Sequence, residues 1–155
     1  MAQAAIHIPI FYRIAFLVID PLIAAQGAYL DIFNPAFVIN SVVPPSIAPY
    51  NPFYSFLQHQ LAAALLLCVI LDLFLLRKTR ELWIWDTVQA GQLLWDIIMV
   101  GSHILSLKQQ RRLSLEGLRV EDWGTLTVTG GIGLVRIAFL TRLGFGKVVS
   151  EKKTG

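Results

Sequence analysis

Charged residues are scarce in this chain of 155 residues: they make up 15% of it, whereas 55% are hydrophobic and the mean hydropathy is +0.62. A soluble domain of this length needs more charge to cover its surface, so the composition indicates a membrane protein whose apolar side chains face lipid. The net charge is +3, but the basic residues lie in short clusters between apolar runs. That pattern is typical of membrane topology and disfavours nucleic-acid binding.

Cysteine is almost absent, since Cys68 is the only one. An intrachain disulfide and a cysteine metal site are therefore excluded. No His or Glu cluster has the helical i, i+3 or i+4 spacing of metal ligands, so we expect no metal and no cofactor. The chain begins without a basic segment before its first apolar run, and it shows no convincing cleavage site. We therefore expect a retained first helix rather than a signal peptide.

Four apolar runs are long enough to cross a membrane, which takes about 20 residues. They predict an all-α integral membrane protein, a four-helix bundle in one domain over residues 1–155. The predicted spans are residues 10–30, 54–76, 82–105 and 123–143. Because the first contains Asp20 and Pro21, we expect it to be polar and kinked at its middle.

The first loop is long, proline-rich and aromatic. It reads "DIFNPAFVINSVVPPSIAPYNPF" and is almost uncharged. So many prolines disfavour a helix, while aromatic side chains favour the headgroup level of a bilayer. The sequence predicts a structured lumenal cap with aromatic residues at the membrane surface, namely Phe33, Phe37, Tyr50, Phe53 and Tyr54.

Lysine and arginine near the span ends predict that both termini lie in the cytosol. The second loop and the C-terminal tail are basic and the first loop is not, although the third loop, with Lys108, Arg111, Arg112 and Arg119, argues the other way. The terminal "KKTG" places Lys152 and Lys153 where a dilysine retrieval signal has its lysines. This resemblance implies a eukaryotic endoplasmic reticulum membrane, with the tail on the cytosolic side.

Polar residues of the third span form a stripe along one helix face. At about 100° per residue, Gln89, Gln92, Asp96 and His103 fall within roughly 60° of one another, with Trp85 close by. Polar side chains in a span face the bundle interior or a wet cavity, because exposure to lipid costs free energy. The other spans offer partners for the stripe: Asp20, His59, Gln60 and Arg136. Asp72 and Arg13 lie near span ends, and we assign them a structural role.

Three hypotheses account for these residues. The stripe holds the helices together, or it lines a ligand pocket with apolar walls, or it performs proton chemistry in that pocket. In the third case Asp20 or Asp96 is the acid, and Trp85 and Trp95 are aromatic faces for a carbocation. His59, His103 or a glutamine would relay the proton. Arg136 discriminates between the two acids, because a carboxylate paired with it stays ionised and is a poor acid.

The four-span plan, the start of the second span in "PFYSFLQHQLA" and the terminal "KKTG" resemble the EXPERA superfamily, which includes the sigma-2 receptor and the emopamil-binding sterol isomerase. "YRIAFLVIDPLIAAQGAY" is similar to small uncharacterised fungal four-span membrane proteins. The resemblance implies a sterol-binding pocket open to the bilayer, with Asp20 at the acidic position of the first span. Related fungal membrane enzymes cyclise terpenoid epoxides. Gln60 stands where the isomerases and the receptor have a glutamate, and a glutamine cannot act as the acid.

The sequence thus predicts a cofactor-independent isomerase or cyclase of the endoplasmic reticulum membrane, acting on a sterol or terpenoid by acid–base chemistry. The alternative is a non-catalytic membrane protein that binds a sterol-like lipid or assists a membrane enzyme complex; a homodimer is left open. The expected catalytic residues are Asp20 and Asp96. The expected pocket residues are His59, Gln60, Trp85, Gln89, Gln92, Trp95, His103 and Arg136.

Overall fold

The computed structural model describes residues 8–146, and all regular structure in that range is helical. Four helices are long and apolar enough to cross a membrane: α1 (Ile10–Phe33), α3 (Pro52–Leu76), α4 (Leu82–Gln109) and α5 (Val120–Leu140). A short helix, α2 (Pro35–Val42), lies between α1 and α3. The predicted all-α, four-span membrane bundle is confirmed. Lys152 and Lys153, with the rest of the terminal "KKTG", lie outside the described residues.

The first loop corrects one prediction, because its first part is helical. Pro35 occupies the start of α2, where a backbone N–H has no partner within the helix and its loss costs nothing. The side chain of Asn34 caps the helix by accepting a hydrogen bond from the Phe37 N–H at 3.3 Å. The remaining prolines follow α2 instead of interrupting it. The expectation of a loop without a helix was therefore wrong.

The irregularity predicted at Pro21 takes the form of a wide, π-helical turn over Ala15–Ile19. Proline has no N–H to donate to the carbonyl four residues earlier, that of Leu17. The Nη2 of Arg77 lies 3.5 Å from this carbonyl oxygen and donates to it. A second wide turn, Leu71–Leu76, ends α3. Each wide turn contains or adjoins a buried aspartate, Asp72 in α3 and Asp20 in α1.

The helices pack as two pairs, α1 with α3 and α4 with α5, while α2 contacts α1 and α5. The outer faces carry exposed apolar side chains such as Phe74, Leu94 and Leu134. The interior holds aspartates, glutamines and an arginine. This inverted distribution is the one expected of a bundle whose surroundings are lipid.

We call the end of the bundle that carries residues 77–81 and 141–146 the lower end, and the end that carries residues 34–51 and 110–119 the upper end. An aromatic cluster of Tyr12, Phe16, Trp85, Phe139 and Phe145 closes the lower end. The Tyr12 hydroxyl donates to the Leu143 carbonyl at 2.6 Å.

A salt bridge on the lower end joins α4 to the segment after α5. Nη1 of Arg142 donates to Oδ1 of Asp86 at 2.7 Å, and Nη2 donates to Oδ2 at 2.5 Å. These hydrogen bonds raise the pKa of Arg142 above its ordinary value.

Candidate functional site: a charged cluster beneath a central cavity

Two aspartates from different helices meet one arginine at the centre of the bundle. Arg136 of α5 donates from Nη1 to Oδ2 of Asp96 on α4, and from Nη2 to Oδ2 of Asp20 on α1. All three residues are buried, with exposed fractions of 3% for Arg136 and 6% for each aspartate. The arginine thus joins three of the four spans through charge-assisted hydrogen bonds.

Gln92 extends this cluster to the remaining span. Its Oε1 accepts a hydrogen bond from Nη2 of Arg136 at 3.1 Å, and its Nε2 donates to Oδ1 of Asp72 at 3.0 Å. Asp72 is completely buried, and its Oδ2 has no hydrogen-bond partner in the part of the chain that the structure describes. We call Asp20, Asp72, Gln92, Asp96 and Arg136 the central cluster. The cluster thus contains three carboxyl groups and one guanidinium, which contacts two of them directly.

The structural role assigned to Asp72 at a span end was incomplete, since this residue belongs to the central cluster. Its position suggested contact with water near the membrane surface, but the wide turn Leu71–Leu76 is packed in the bundle. The signal available in the sequence was a lone acid within the apolar run "VILDLFLL". An acid in such a run is costly unless other polar groups meet it.

A cavity of about 290 Å³ opens directly above the central cluster. Asp20, Gln92, Asp96 and Arg136 form its floor. The walls are mainly apolar and come from all four spans, with Ile23, Leu65, Trp95, Met99 and Val128 among the lining residues. Ile23 and Val128 are 37% and 46% exposed, so the cavity reaches the lipid-facing surface. Helix α2 lines its upper end.

Gly133 of α5 faces Asp96 of α4 beside the floor of the cavity. A Cβ at this position would lie 3.5 Å from Oδ2 of Asp96, in van der Waals contact. Arg136, three positions further along α5, donates a hydrogen bond to the same carboxylate oxygen of Asp96. Among the glycines of the "GGIG" segment, Gly133 is the one that faces the neighbouring helix, since a Cβ at Gly130 or Gly131 would meet no atom within 4 Å.

A second charged group lies at the upper end, where the partly exposed Arg112 and Arg119 surround the buried Asp122 and His103. We call these four residues the Asp122 network. The Asp122 carboxylate accepts hydrogen bonds from Nη2 of Arg112 and from the Arg119 backbone N–H, the latter at 2.8 Å. His103 Nε2 lies 3.5 Å from Oδ1 of Asp122. The carboxylate thus caps the start of α5 and fixes the third loop.

Arg119 also holds α2 in place over the cavity. Its Nη1 donates to the Asn40 carbonyl at 3.0 Å and its Nη2 to the Ser41 carbonyl at 2.8 Å. Gln110 donates to the Val42 carbonyl at 3.1 Å. The last carbonyls of a helix have no partners within it, so these side chains complete the end of α2. In the sequence, Arg112 and Arg119 served only as evidence on membrane topology.

This chain belongs to the family described as domain of unknown function DUF7704. The match covers residues 5–147 and so includes all five helices, the central cluster and the Asp122 network. No curated protein matches the chain, and no solved structure matches it either. The chemistry of this DUF7704 protein therefore has to be argued from its own geometry.

Five of the ten predicted site residues meet at the cavity: Asp20, Gln92, Trp95, Asp96 and Arg136. Arg136 contacts both candidate acids, so it does not leave one of them unpaired as the sequence argument envisaged. Among residues 8–146, no group of three or more His, Cys, Asp or Glu side chains could hold a metal ion.

Three residues of the polar stripe that we expected in the pocket, Trp85, Gln89 and His103, are buried but lie outside the lining of this cavity. Trp85 packs against Phe139 in the lower aromatic cluster, and His103 belongs to the Asp122 network. Gln89 is fully buried outside the lining. From Trp85 to His103 an α-helix rises about 27 Å, so one face passes through several layers of the bundle.

His59 and Gln60 were also expected in the pocket, but both are exposed and outside the cavity lining. Gln58 is the residue of this run that faces inward, at 8% exposure. Consecutive helical residues point about 100° apart, so an inward Gln58 turns its two successors away from the interior. The rotation of the helix in the bundle decides which of these three residues faces inward. Three adjacent polar residues in a sequence do not indicate that rotation.

Proposed function

We propose that this membrane protein binds a lipid-like molecule of the sterol or terpenoid class in the central cavity. The observation that carries the proposal is an apolar-walled cavity with a charged floor that reaches the lipid-facing surface. Ligand pockets combine apolar walls with a few polar groups that orient the ligand. The EXPERA-like features of the sequence favour the same class of ligand.

The floor offers both donors and acceptors to a polar group of the ligand. Arg136 and Gln92 supply N–H groups, and Asp20 and Asp96 supply carboxylate oxygens. A hydroxyl uses both kinds of partner, whereas a carbonyl or epoxide oxygen uses the donors alone. Such hydrogen bonds are stronger away from water, which favours one orientation of the ligand with its apolar body between the helices.

A cavity-filling substitution tests this proposal. Thr129 lines the cavity, whereas Thr127 on the same helix is exposed and does not. Thr129→Trp should abolish ultraviolet crosslinking of the purified protein to diazirine analogues of cholesterol and farnesol, and Thr127→Trp should leave it intact. Equal labelling of the wild type and both variants would contradict the proposal, because the label would then report only contact with the outer surface.

Acid–base catalysis is a second candidate function, and the charge of the central cluster favours it. One guanidinium offsets one carboxylate, so a cluster without net charge holds two protons on its three carboxyl groups. Burying uncompensated charge costs several kcal/mol per ion, roughly, which favours this protonated arrangement. Asp20 and Asp96 both line the cavity and can contact a ligand, whereas Asp72 lies behind Gln92.

In this second candidate the protein is a cofactor-independent isomerase or terpene cyclase. The carboxyl group of Asp20 or Asp96 transfers its proton to an alkene carbon or an epoxide oxygen, and a carbocation forms on the ligand. The face of Trp95 stabilises the cation. The other aspartate then accepts a proton from a neighbouring carbon, which restores a double bond and leaves the number of protons on the protein unchanged.

Catalysis is tested with microsomes that carry the wild type, Asp20→Asn or Asp96→Asn, incubated with terpenoid epoxides and sterols. We expect turnover by the wild type and a loss of at least a hundredfold in each variant, the scale of general acid–base catalysis. Asp86→Asn is the matched control, because Asp86 pairs with Arg142 away from the cavity. Unchanged turnover in both variants rules out these acids, and binding without turnover restricts the function to binding.

We further propose an endoplasmic reticulum location with both termini cytosolic, on the basis of the terminal lysines and the loop charges. Replacing Lys152 and Lys153 together by alanine should release the protein from this membrane, as fluorescence microscopy of a tagged chain will show. Retention of the double variant would contradict the dilysine interpretation.

A further inference from the structure

We infer that the cavity contains a second polar subsite, formed by Asp31, and that its ligand is a narrow chain with a hydrogen-bond donor at each end. This inference rests on the proposed binding function and specifies the class of ligand. It derives from a carboxyl group that neither the central cluster nor the Asp122 network includes.

Asp31 and Asp20 lie on the same face of one straight helical segment. The part of α1 from Asp20 to Phe33 is uninterrupted α-helix, with Pro21 at its start. Eleven residues separate the two aspartates, which is three turns, so both side chains point to the same side. They are about 16.5 Å apart along the axis at the helical rise of 1.5 Å per residue. Both line the cavity, Asp20 at its floor and Asp31 towards the end lined by α2.

The Asp31 carboxyl group is buried and incompletely hydrogen-bonded. Its side chain is 2% exposed, and its Oδ1 has no hydrogen-bond partner among residues 8–146. A buried polar atom without a partner is rare in native proteins and destabilises the fold. Ser41 lines the same end of the cavity, and because its hydroxyl donates to the Val38 carbonyl at 2.7 Å, its oxygen remains available as an acceptor. This end therefore offers acceptors to a ligand hydroxyl.

The shape of the cavity restricts what lies between the two polar ends. A volume of about 290 Å³ is at the lower limit for ligand pockets, yet the cavity extends over three helical turns of α1. A slot with these proportions accommodates a single isoprenoid or alkyl chain better than a four-ring sterol. The walls between the ends, including Ala24, Gly27 and Leu65, provide no other charged group. The geometry thus specifies a linear lipid with a hydroxyl at each terminus.

The test compares farnesol, which has one terminal hydroxyl, with 12-hydroxyfarnesol, which has one at each end. Equilibrium binding of the tritiated compounds to the purified full-length chain in nanodiscs gives both dissociation constants. We expect the wild type to bind the diol at least tenfold more tightly. Asp31→Leu should abolish this preference, whereas Gln26→Leu, at an exposed position of the same helix outside the cavity, should retain it.

If the leucine variant does not fold, Asp31→Asn tests the same point, because it preserves side-chain volume but replaces one carboxyl oxygen with an amide NH₂ group that cannot accept a hydrogen bond. It should lower the preference for the diol, since one of the two acceptor oxygens is lost. An equal affinity of the wild type for both compounds, or a preference that is undiminished in Asp31→Leu or in Asp31→Asn, overturns the second subsite. If both compounds bind with equal affinity and Thr129→Trp blocks both, the proposed binding function stands and the second subsite fails. If neither compound binds, the second subsite fails for linear terpenoids, and the cholesterol analogue decides the binding function separately.

Discussion

The central cluster and the Asp122 network both pair buried aspartate with arginine, but their charges are balanced in opposite ways. In the Asp122 network one carboxylate faces Arg112 and Arg119 and also accepts a backbone N–H. In the central cluster one arginine faces Asp20 and Asp96 directly and reaches Asp72 through a glutamine. The first has an excess of positive charge, and the second has an excess of carboxyl groups.

This difference separates a structural group from a candidate site. The Asp122 network joins the third loop, α5 and α2, and its residues do not line the cavity beside the central cluster. The central cluster forms the floor of a cavity and keeps carboxyl groups that one guanidinium cannot neutralise. A membrane span that buries more polar groups than helix packing requires is a candidate for ligand binding or proton transfer.

The largest effect is expected for Arg136→Met, which removes the only guanidinium of the central cluster. The carboxylate that this guanidinium neutralises is then left buried without a counter-charge, and the free energy of unfolding should fall by about 3–5 kcal/mol. Reversible unfolding of the purified protein in mixed micelles measures this change. Adding Asp20→Asn and Asp96→Asn to Arg136→Met should recover most of the loss. If the triple variant is no more stable than the single one, charge imbalance is not the cause.

A smaller effect is expected for Asp122→Asn in the Asp122 network. The variant keeps the shape of the side chain but weakens its hydrogen bonds to Arg112 and to the start of α5, at a cost of about 1.5–3 kcal/mol in unfolding free energy. Ligand binding per folded molecule should not change, because none of these groups lines the cavity. Glu121→Gln, at the neighbouring exposed position, is the control. A selective loss of binding would contradict the distinction between the two groups.

The smallest effect is expected at the lower end, where Asp86 and Arg142 pair. Their side chains are 31% and 37% exposed, so solvent screens the salt bridge and we expect a coupling energy of about 0.2–1 kcal/mol. A double-mutant cycle with Asp86→Asn and Arg142→Gln in the same unfolding assay measures it. A coupling energy as large as the effect of Arg136→Met would contradict the argument that the more exposed salt bridge contributes less to stability.

The sequence allowed the four spans to be predicted, since long apolar runs are a local signal, and the stripe on α4 correctly pointed Gln92 and Asp96 inward. It did not show which part of the stripe meets the cavity, because Trp85, Gln92 and His103 share a face but lie in different layers of the bundle. The role of Asp72 depends on Gln92 from another helix and on a wide turn, and neither is encoded near it in the chain. Contacts between helices determine which residues form the site. Periodicity within one helix does not reveal these contacts.

The attachment of α2 has a consequence for how the proposed ligand would reach the cavity. Entry from the upper end requires displacement of a helix that Arg119 and Gln110 hold by three hydrogen bonds to its backbone carbonyls. Entry between the spans, past half-exposed Ile23 and Val128, breaks no such bond. The protein would therefore sample the hydrocarbon layer rather than the aqueous phase. Its occupancy should follow the mole fraction of ligand in the bilayer, so diluting the vesicles with buffer should matter far less than diluting the ligand with phospholipid.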